Sequence, residues 1–302
     1  MRLPVHTGRR LIAVAAVYVV GFVVIRVLVD GVPDRPDALV DGLDPVVALL
    51  AFVFETVDSA AGMGFGTALA PLLFVLGFAP LEVVPALLAA EAATGLLAGW
   101  LHQEFRNIEL GWRPPNDAAR TLLLIGGLGA AGVAASAAIA YFAVPLPEKI
   151  IKAYVAILVL VMGASTLARP WITPRGAYRP KRLVAFAALA GVNKGLGGGG
   201  FGPVITLGSI FSGIIEKSAT AISTLAEGCV STVGLAAFLT IAAIGAPVDL
   251  RLLPSLWLGA FPAAVIAPYA VRVLPNRIFR YAVPVYALAI AGAMLVQLFL
   301  GA

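Results

Sequence analysis

Seven apolar stretches, at 11–29, 81–101, 119–143, 150–168, 218–243, 252–271 and 281–300, are each long enough to cross a bilayer as one helix, which takes roughly 20 residues. Two others, 45–77 and 183–215, do not fit that pattern. Each is too long for one comfortable crossing, and a glycine cluster interrupts each. Cut at the clusters, their arms are about 10–16 residues, mostly short of a full span. The pattern predicts an all-α polytopic membrane protein.

Composition agrees. The chain is 61% hydrophobic and 12% charged, with a mean hydropathy of +0.98, where a soluble domain carries about 25% charged residues. The net charge of +5 sits mostly in loops, so it is no nucleic-acid footprint. The single cysteine, Cys229, excludes an intrachain disulfide and reads as a small packing residue. Arg2, Arg9 and Arg10 precede the first apolar stretch. That stretch is long for a signal-peptide core and acidic loop sequence follows it, so it reads as a retained helix.

Loop charge orients the chain. If 45–77 crossed once, the basic loop 169–182 (Arg169, Arg175, Arg179, Lys181, Arg182) would lie opposite a cytoplasmic N-terminus, against the positive-inside rule. If both glycine-broken stretches enter and leave on one side, the N-terminus, 102–118, 169–182 and 272–280 all face the cytoplasm. About 15 of the 21 Lys and Arg are then inside, and the acidic loop 30–44 is outside. The expected organisation is a helix and acidic loop (1–44), a first repeat (45–168), a basic linker (169–182) and a second repeat (183–302). Each repeat is a re-entrant hairpin plus three spans, and the two are inverted. Such repeats place a substrate near the membrane midplane, where helices are broken.

The hairpin tips read GMGFGT from Gly62 to Thr67 and GLGGGGFGP from Gly195 to Pro203, 136 residues apart at Gly64 and Gly200. Helix N-termini resuming after each tip, with Pro203 as a first helical residue, would favour an anion. Close helix packing through GxxxG spacings, Gly62–Gly66 and Gly195–Gly199, is the alternative. The expected anion site comprises Asn193, Lys194 and the tip residues Gly64, Phe65, Gly66, Thr67, Gly199, Gly200, Phe201 and Gly202. Lys194 corresponds to Asp58 across the repeat, which is either its salt-bridge partner or a gating group. Glu91 and Glu227, also 136 residues apart, each lie about ten residues into a span. An isolated carboxyl at that depth is cheapest when protonated, as a proton carrier requires. A neutral structural role, bonded to the tip backbone, is the alternative. Thr94, Ser223, Thr224, Ser231 and Thr232 lie near enough in sequence to hydrogen-bond them. Glu55 shares a face with Asp58 but is not duplicated, and His102 reads as an interfacial residue.

The stretches DSAAGMGFGT (58–67), KGLGGGGFGP (194–203), Glu216-Lys217-Ser218 and Leu225-Ala226-Glu227 resemble the sulfite exporter TauE/SafE family of bacterial membrane transporters. The resemblance covers nearly the whole chain after the first helix. It implies a secondary carrier of sulfite or an organosulfonate, without cofactor, in the bacterial plasma membrane with its N-terminus cytoplasmic. The expected partners are a small anion, protons and the bilayer. A passive anion pore and a cation carrier using Asp58, Glu91 and Glu227 are the competing functions. An enzyme is disfavoured: neither histidine sits in a ligand motif, and no HExxH, CxxC, Walker A or G-x-S-x-G pattern is present.

Overall fold

A computed structural model describes residues 5–32, 35–61, 64–168, 179–214, 216–273 and 276–300. Helices follow in order: α1 Val5–Asp30, α2 Pro45–Ala61, a π-turn Phe65–Leu69 running into α3 Ala70–Val75, α4 Pro80–Glu104, α5 Asp117–Ala138, α6 Glu148–Ala168, α7 Leu183–Gly197, α8 Phe201–Phe211, α9 Glu216–Ala243, α10 Leu253–Val273 and α11 Asn276–Leu300. Five of these are long and apolar enough to cross a membrane. Gly62, Met63 and most of the basic linker (169–178) lie outside the described residues.

Local chemistry sets the helix ends. Asp44 caps α2, its carboxylate accepting the N–H groups of Val46 (2.8 Å) and Val47 (3.1 Å). Asn116 caps α5 through the Ala119 N–H at 2.9 Å. Pro45 and Pro80 stand first in α2 and α4, where a missing N–H costs nothing. Pro203 is the third residue of α8, after Phe201 and Gly202, not the first as expected. The N–H it lacks is still one of those that no helical carbonyl would meet.

Each glycine-broken stretch folds back on itself. The Arg179 N–H donates to the Ser212 carbonyl at 2.9 Å and the Arg182 guanidinium to the Phe211 carbonyl at 3.1 Å, so both ends of 183–215 lie together. At 45–77 the Asp44 N–H donates to the Ser255 hydroxyl (2.9 Å) at the start of α10. The Asp249 N–H, just before α10, donates to the Leu81 carbonyl (3.1 Å). Both ends of the first hairpin therefore lie where α10 begins. α9 begins at Glu216, just after the second hairpin, and leads to α10, at whose start both ends of the first hairpin lie.

Their tips meet backbone to backbone. A Cβ on Gly199 would stand 1.9 Å from the Gly66 carbonyl oxygen, and one on Gly66 would stand 2.3 Å from that of Gly198. Gly198 and Gly200 also hold positive φ of 73° and 80°, conformations open to glycine. The Gly200 N–H donates to the Thr67 hydroxyl at 3.2 Å, which ties the tips together. Around them α2 packs on α10 as α7 packs on α5, and α4 on α10 as α9 on α5. α4 crosses α9, and α6 packs on α11. Exchanging the segments 45–168 and 183–302 reproduces this pairing.

α1 stands apart from that arrangement, packing on α10 through Tyr18, Gly21 and Trp257. Its Arg26 is buried and pairs with Asp30 at 2.7 Å while bonding the carbonyls of Ala38 and Asp41. Cys229 is exposed on the bundle surface, so it is not the interior packing residue expected.

The tip contact yields a stability prediction. Gly199→Ala places a methyl against main chain and should destabilise the protein by about 1–3 kcal/mol, read as a lower Tm. Gly126→Ala meets nothing within 4 Å and should leave Tm unchanged or raised. Equal Tm values for the two variants would show that the tips do not touch.

Candidate functional site

α4 and α9 cross where glycine brings their backbones close: a Cβ on Gly95 would stand 2.8 Å from the Gly228 N, and one on Gly228 would stand 2.5 Å from the Leu96 N. Glu91 lies one turn before Gly95 and Glu227 one residue before Gly228, so the crossing brings both acids to the bundle centre. Lys194 arrives from α7, one turn before its Gly198 C-cap, whose N–H bonds the Lys194 carbonyl at 2.8 Å. Its ammonium sits 2.6 Å from Glu91 Oε2 and 2.6 Å from Glu227 Oε1, with the lysine side chain fully buried. The Phe201 ring lies under the same ammonium at 5.8 Å. The Ser231 hydroxyl donates to Glu91 Oε2 at 3.3 Å.

This arrangement departs from the sequence expectation in two ways. Asp58 is buried nearby and feels the field of Lys194, but the ion pairs go to the duplicated glutamates. Nor are those glutamates isolated carboxyls: one ammonium bridges them. Register decides this. Helix crossing puts positions 91 and 227 against the Lys194 ammonium, whereas Asp58 on α2 lies within its field without an ion pair among the described contacts.

Around the bridge the site is rich in acid. Glu55 is buried and accepts the Ser59 hydroxyl at 2.8 Å. Glu55 and Asp58 both lie within electrostatic reach of Glu91 and Glu227. Four buried carboxyls thus lie within electrostatic reach of one another, and two of them hold the one ammonium.

The tip residues close over the bridge. Gly64, Phe65, Gly66 and Thr67 are buried, as are Gly199, Gly200, Phe201 and Gly202. Glu91 Oε1 points at Gly66, 2.8 Å from where a Cβ would stand, and has no hydrogen-bond partner. Asn193 is fully buried. Its carboxamide oxygen accepts the Tyr154 hydroxyl, and its Nδ2, beside Gly200, has no partner. A cavity of about 10 Å³ lies between Gly64, Thr67, Pro203 and Tyr286, room for about one water. Both tips are therefore closed around the charges.

His102, near the end of α4, is buried, with 1% of its surface exposed. Its Nε2 donates to the Ser59 carbonyl at 3.0 Å, and Nδ1 faces the Asn107 carboxamide nitrogen at 2.8 Å. The signal was available, since Glu91, Thr94, Ala98 and His102 form a buried face of α4 at helical spacing. Ser231 was legible in the same way, one turn after Glu227. Thr224 and Thr232 bond their own helix backbone, the ordinary habit of such residues.

A family model described as Sulfite exporter TauE/SafE matches residues 47–294, which hold both hairpins and the charge bridge. The chain belongs to this family. Among curated proteins, the "Probable membrane transporter protein YtnM" of Bacillus subtilis (strain 168) is 26% identical over 168 residues. The match takes in 53% of this TauE/SafE chain and 52% of that protein, about half the length of each. No solved structure is significantly similar to it. The family is described as a sulfite exporter, and the relative is named a probable membrane transporter.

Removing one partner of a buried ion pair leaves its mate uncompensated, at a cost of about 3–5 kcal/mol. Lys194→Met should therefore lower Tm strongly near neutral pH. Adding Glu91→Gln and Glu227→Gln to it should recover much of the loss. A Lys194→Met protein as stable as the parent would show that the bridge does not form.

Proposed function

We propose that this TauE/SafE member is a proton-coupled secondary carrier of a small oxyanion, with sulfite or an organosulfonate as the substrate class. The observation that carries the reading is the double ion pair: Lys194 is held at 2.6 Å by both Glu91 and Glu227. A substrate anion and the two carboxylates compete for one ammonium. Protonating the glutamates removes their claim on it and frees Lys194 as a point charge for the anion. Deprotonation restores the bridge and expels the anion. Proton and anion binding thus assist each other through one side chain, and the coupling is reciprocal.

Other groups support the same role. The unpartnered Nδ2 of Asn193 is a donor beside the second tip, and the N-terminus of α8 opens onto that tip. Asp58 and Glu55 add proton-holding capacity around the bridge. The opposed hairpins and the exchange symmetry of packing support inverted repeats, which would carry the site between the two faces. The loop charges support a cytoplasmic N-terminus in the plasma membrane.

The acid surplus favours one other reading, a cation carrier with Lys194 as a built-in competitor. It predicts that Lys194→Gln strengthens cation binding, whereas the anion reading predicts that the same change abolishes anion binding.

In proteoliposomes, an inward proton gradient should drive sulfite accumulation by the parent protein. Glu91→Gln and Glu227→Gln should each lose most of that gradient-driven flux. Full gradient-driven flux in either variant would remove that glutamate from the coupling role.

A further inference from the structure

The two halves keep the charged positions in register but not the interface that leads to them. On α9, Thr220, Ser223 and Thr224 precede Glu227 at helical spacing, so one polar stripe runs from the start of that helix to the charge bridge. α8 faces it. The Ser223 hydroxyl donates to the Gly202 carbonyl at 3.4 Å, and Thr206 and Ser209 follow Gly202 on the same face, four and seven residues on. Ser212 ends α8 at the mouth of the hairpin, where its carbonyl accepts the Arg179 N–H and Arg182 bonds Phe211.

The equivalents in the first half, 136 residues earlier, are Ala70, Leu73, Leu76, Val84, Leu87 and Leu88. Every hydroxyl has become a hydrocarbon. Close packing alone does not account for the difference, because apolar side chains fill the same interface in the other half. Thr206 and Ser209 are also fully buried, and neither hydroxyl has a partner. An unpartnered buried hydroxyl costs about 1–3 kcal/mol, so the α8–α9 interface carries polarity that the folded state does not use.

The closures over the tips differ in the same sense. Past the first tip stands His102, bonded to Ser59 and facing Asn107. The corresponding position past the second tip is Phe238, packed on Tyr141 at 5.2 Å. The end of the bundle that holds Arg179 and Arg182 is polar inside, and the opposite end is hydrocarbon.

We infer that the α8–α9 interface is the aqueous passage by which a small hydrated oxyanion moves between the charge bridge and the basic end of the bundle, while the α3–α4 interface is a dry seal. Parting α8 from α9 exposes hydroxyls, Thr206, Ser209 and Ser223 first among them, that replace hydration of the anion. Parting α3 from α4 would expose leucine to water. The two half-cycles are therefore unequal: access at the basic end is through a wettable slot between helices, and the opposite end opens by some other movement. The inference rests on the transporter reading, but it concerns the route, not the coupling.

Single cysteines test it. In a Cys229→Ser background, Thr206→Cys, Ser209→Cys, Ala70→Cys and Leu73→Cys are exposed to a membrane-impermeant methanethiosulfonate in inside-out and right-side-out vesicles. Sulfite flux is measured in parallel on reconstituted protein. Thr206→Cys and Ser209→Cys should be modified from the face carrying the basic loops, and Ala70→Cys and Leu73→Cys from neither face. Modification at Ser209→Cys should abolish flux. The inference is overturned if positions 206 and 209 resist the reagent from the basic face, or if positions 70 and 73 react as fast. Flux that persists while 206 and 209 stay unmodified leaves the transporter reading standing and removes the passage. The expected modification pattern without sulfite flux supports the passage and removes the sulfite reading.

Discussion

One ammonium shared by two carboxylates is the constraint on which the rest of this structure depends. Lys194, Glu91 and Glu227 are buried, and a charge at membrane depth costs roughly 2.5–3.5 kcal/mol on insertion scales. The cost is tolerable only if the charges meet. Meeting requires three helices to converge within one side chain's length of each other. α4 and α9 do so through Gly95 and Gly228, and α7 does so by ending at its glycine cap. The broken hairpins follow from the same demand. A continuous α7 would carry the chain through the bundle, whereas a tip that stops at the centre leaves Lys194 there and puts the α8 N-terminus beside it.

A transporter built on such a bridge has its switch in the bridge. The site as folded is closed, with the tips in backbone contact and little free volume between them. On the proposed reading an anion reaches Lys194 only after a carboxylate gives it up. The binding event and the conformational event are linked on that reading, because Lys194, the proposed anion ligand, also holds α4, α7 and α9 together. On the same reading the surplus of acid over base in the centre makes protons the currency of that exchange. In the inferred passage, hydroxyls on one side of the site and leucines on the other give the exchange a direction in space, though Glu91 and Glu227 occupy equivalent positions in the two halves.

Much of this was legible in the sequence. Five of the seven long spans, the two glycine-broken stretches and the register between Glu91 and Glu227 are written in hydrophobic periodicity and glycine spacing, which are local. The partner of Lys194 was not. Sequence offset makes Asp58 its repeat-mate, and repeat-mates need not touch; which residues meet depends on how far each helix runs past the centre. The burial of His102 was not legible for a related reason: its position near the end of an apolar run does not tell that Ser59 of α2 covers it. The polar α8–α9 interface was visible as scattered Ser and Thr, yet its meaning came only from setting each against its apolar equivalent in the first half.

The central claim is that anion and carboxylates compete for Lys194, and proton uptake on anion binding tests it most directly. Sulfite is titrated calorimetrically into detergent-purified protein in buffers of different ionisation enthalpy. Subtracting a matched titration without protein removes the buffering of sulfite itself. The account predicts net proton uptake by the parent protein and none by the Glu91→Gln, Glu227→Gln double variant, which should still bind the anion. Sulfite binding by the parent with no proton uptake would contradict it.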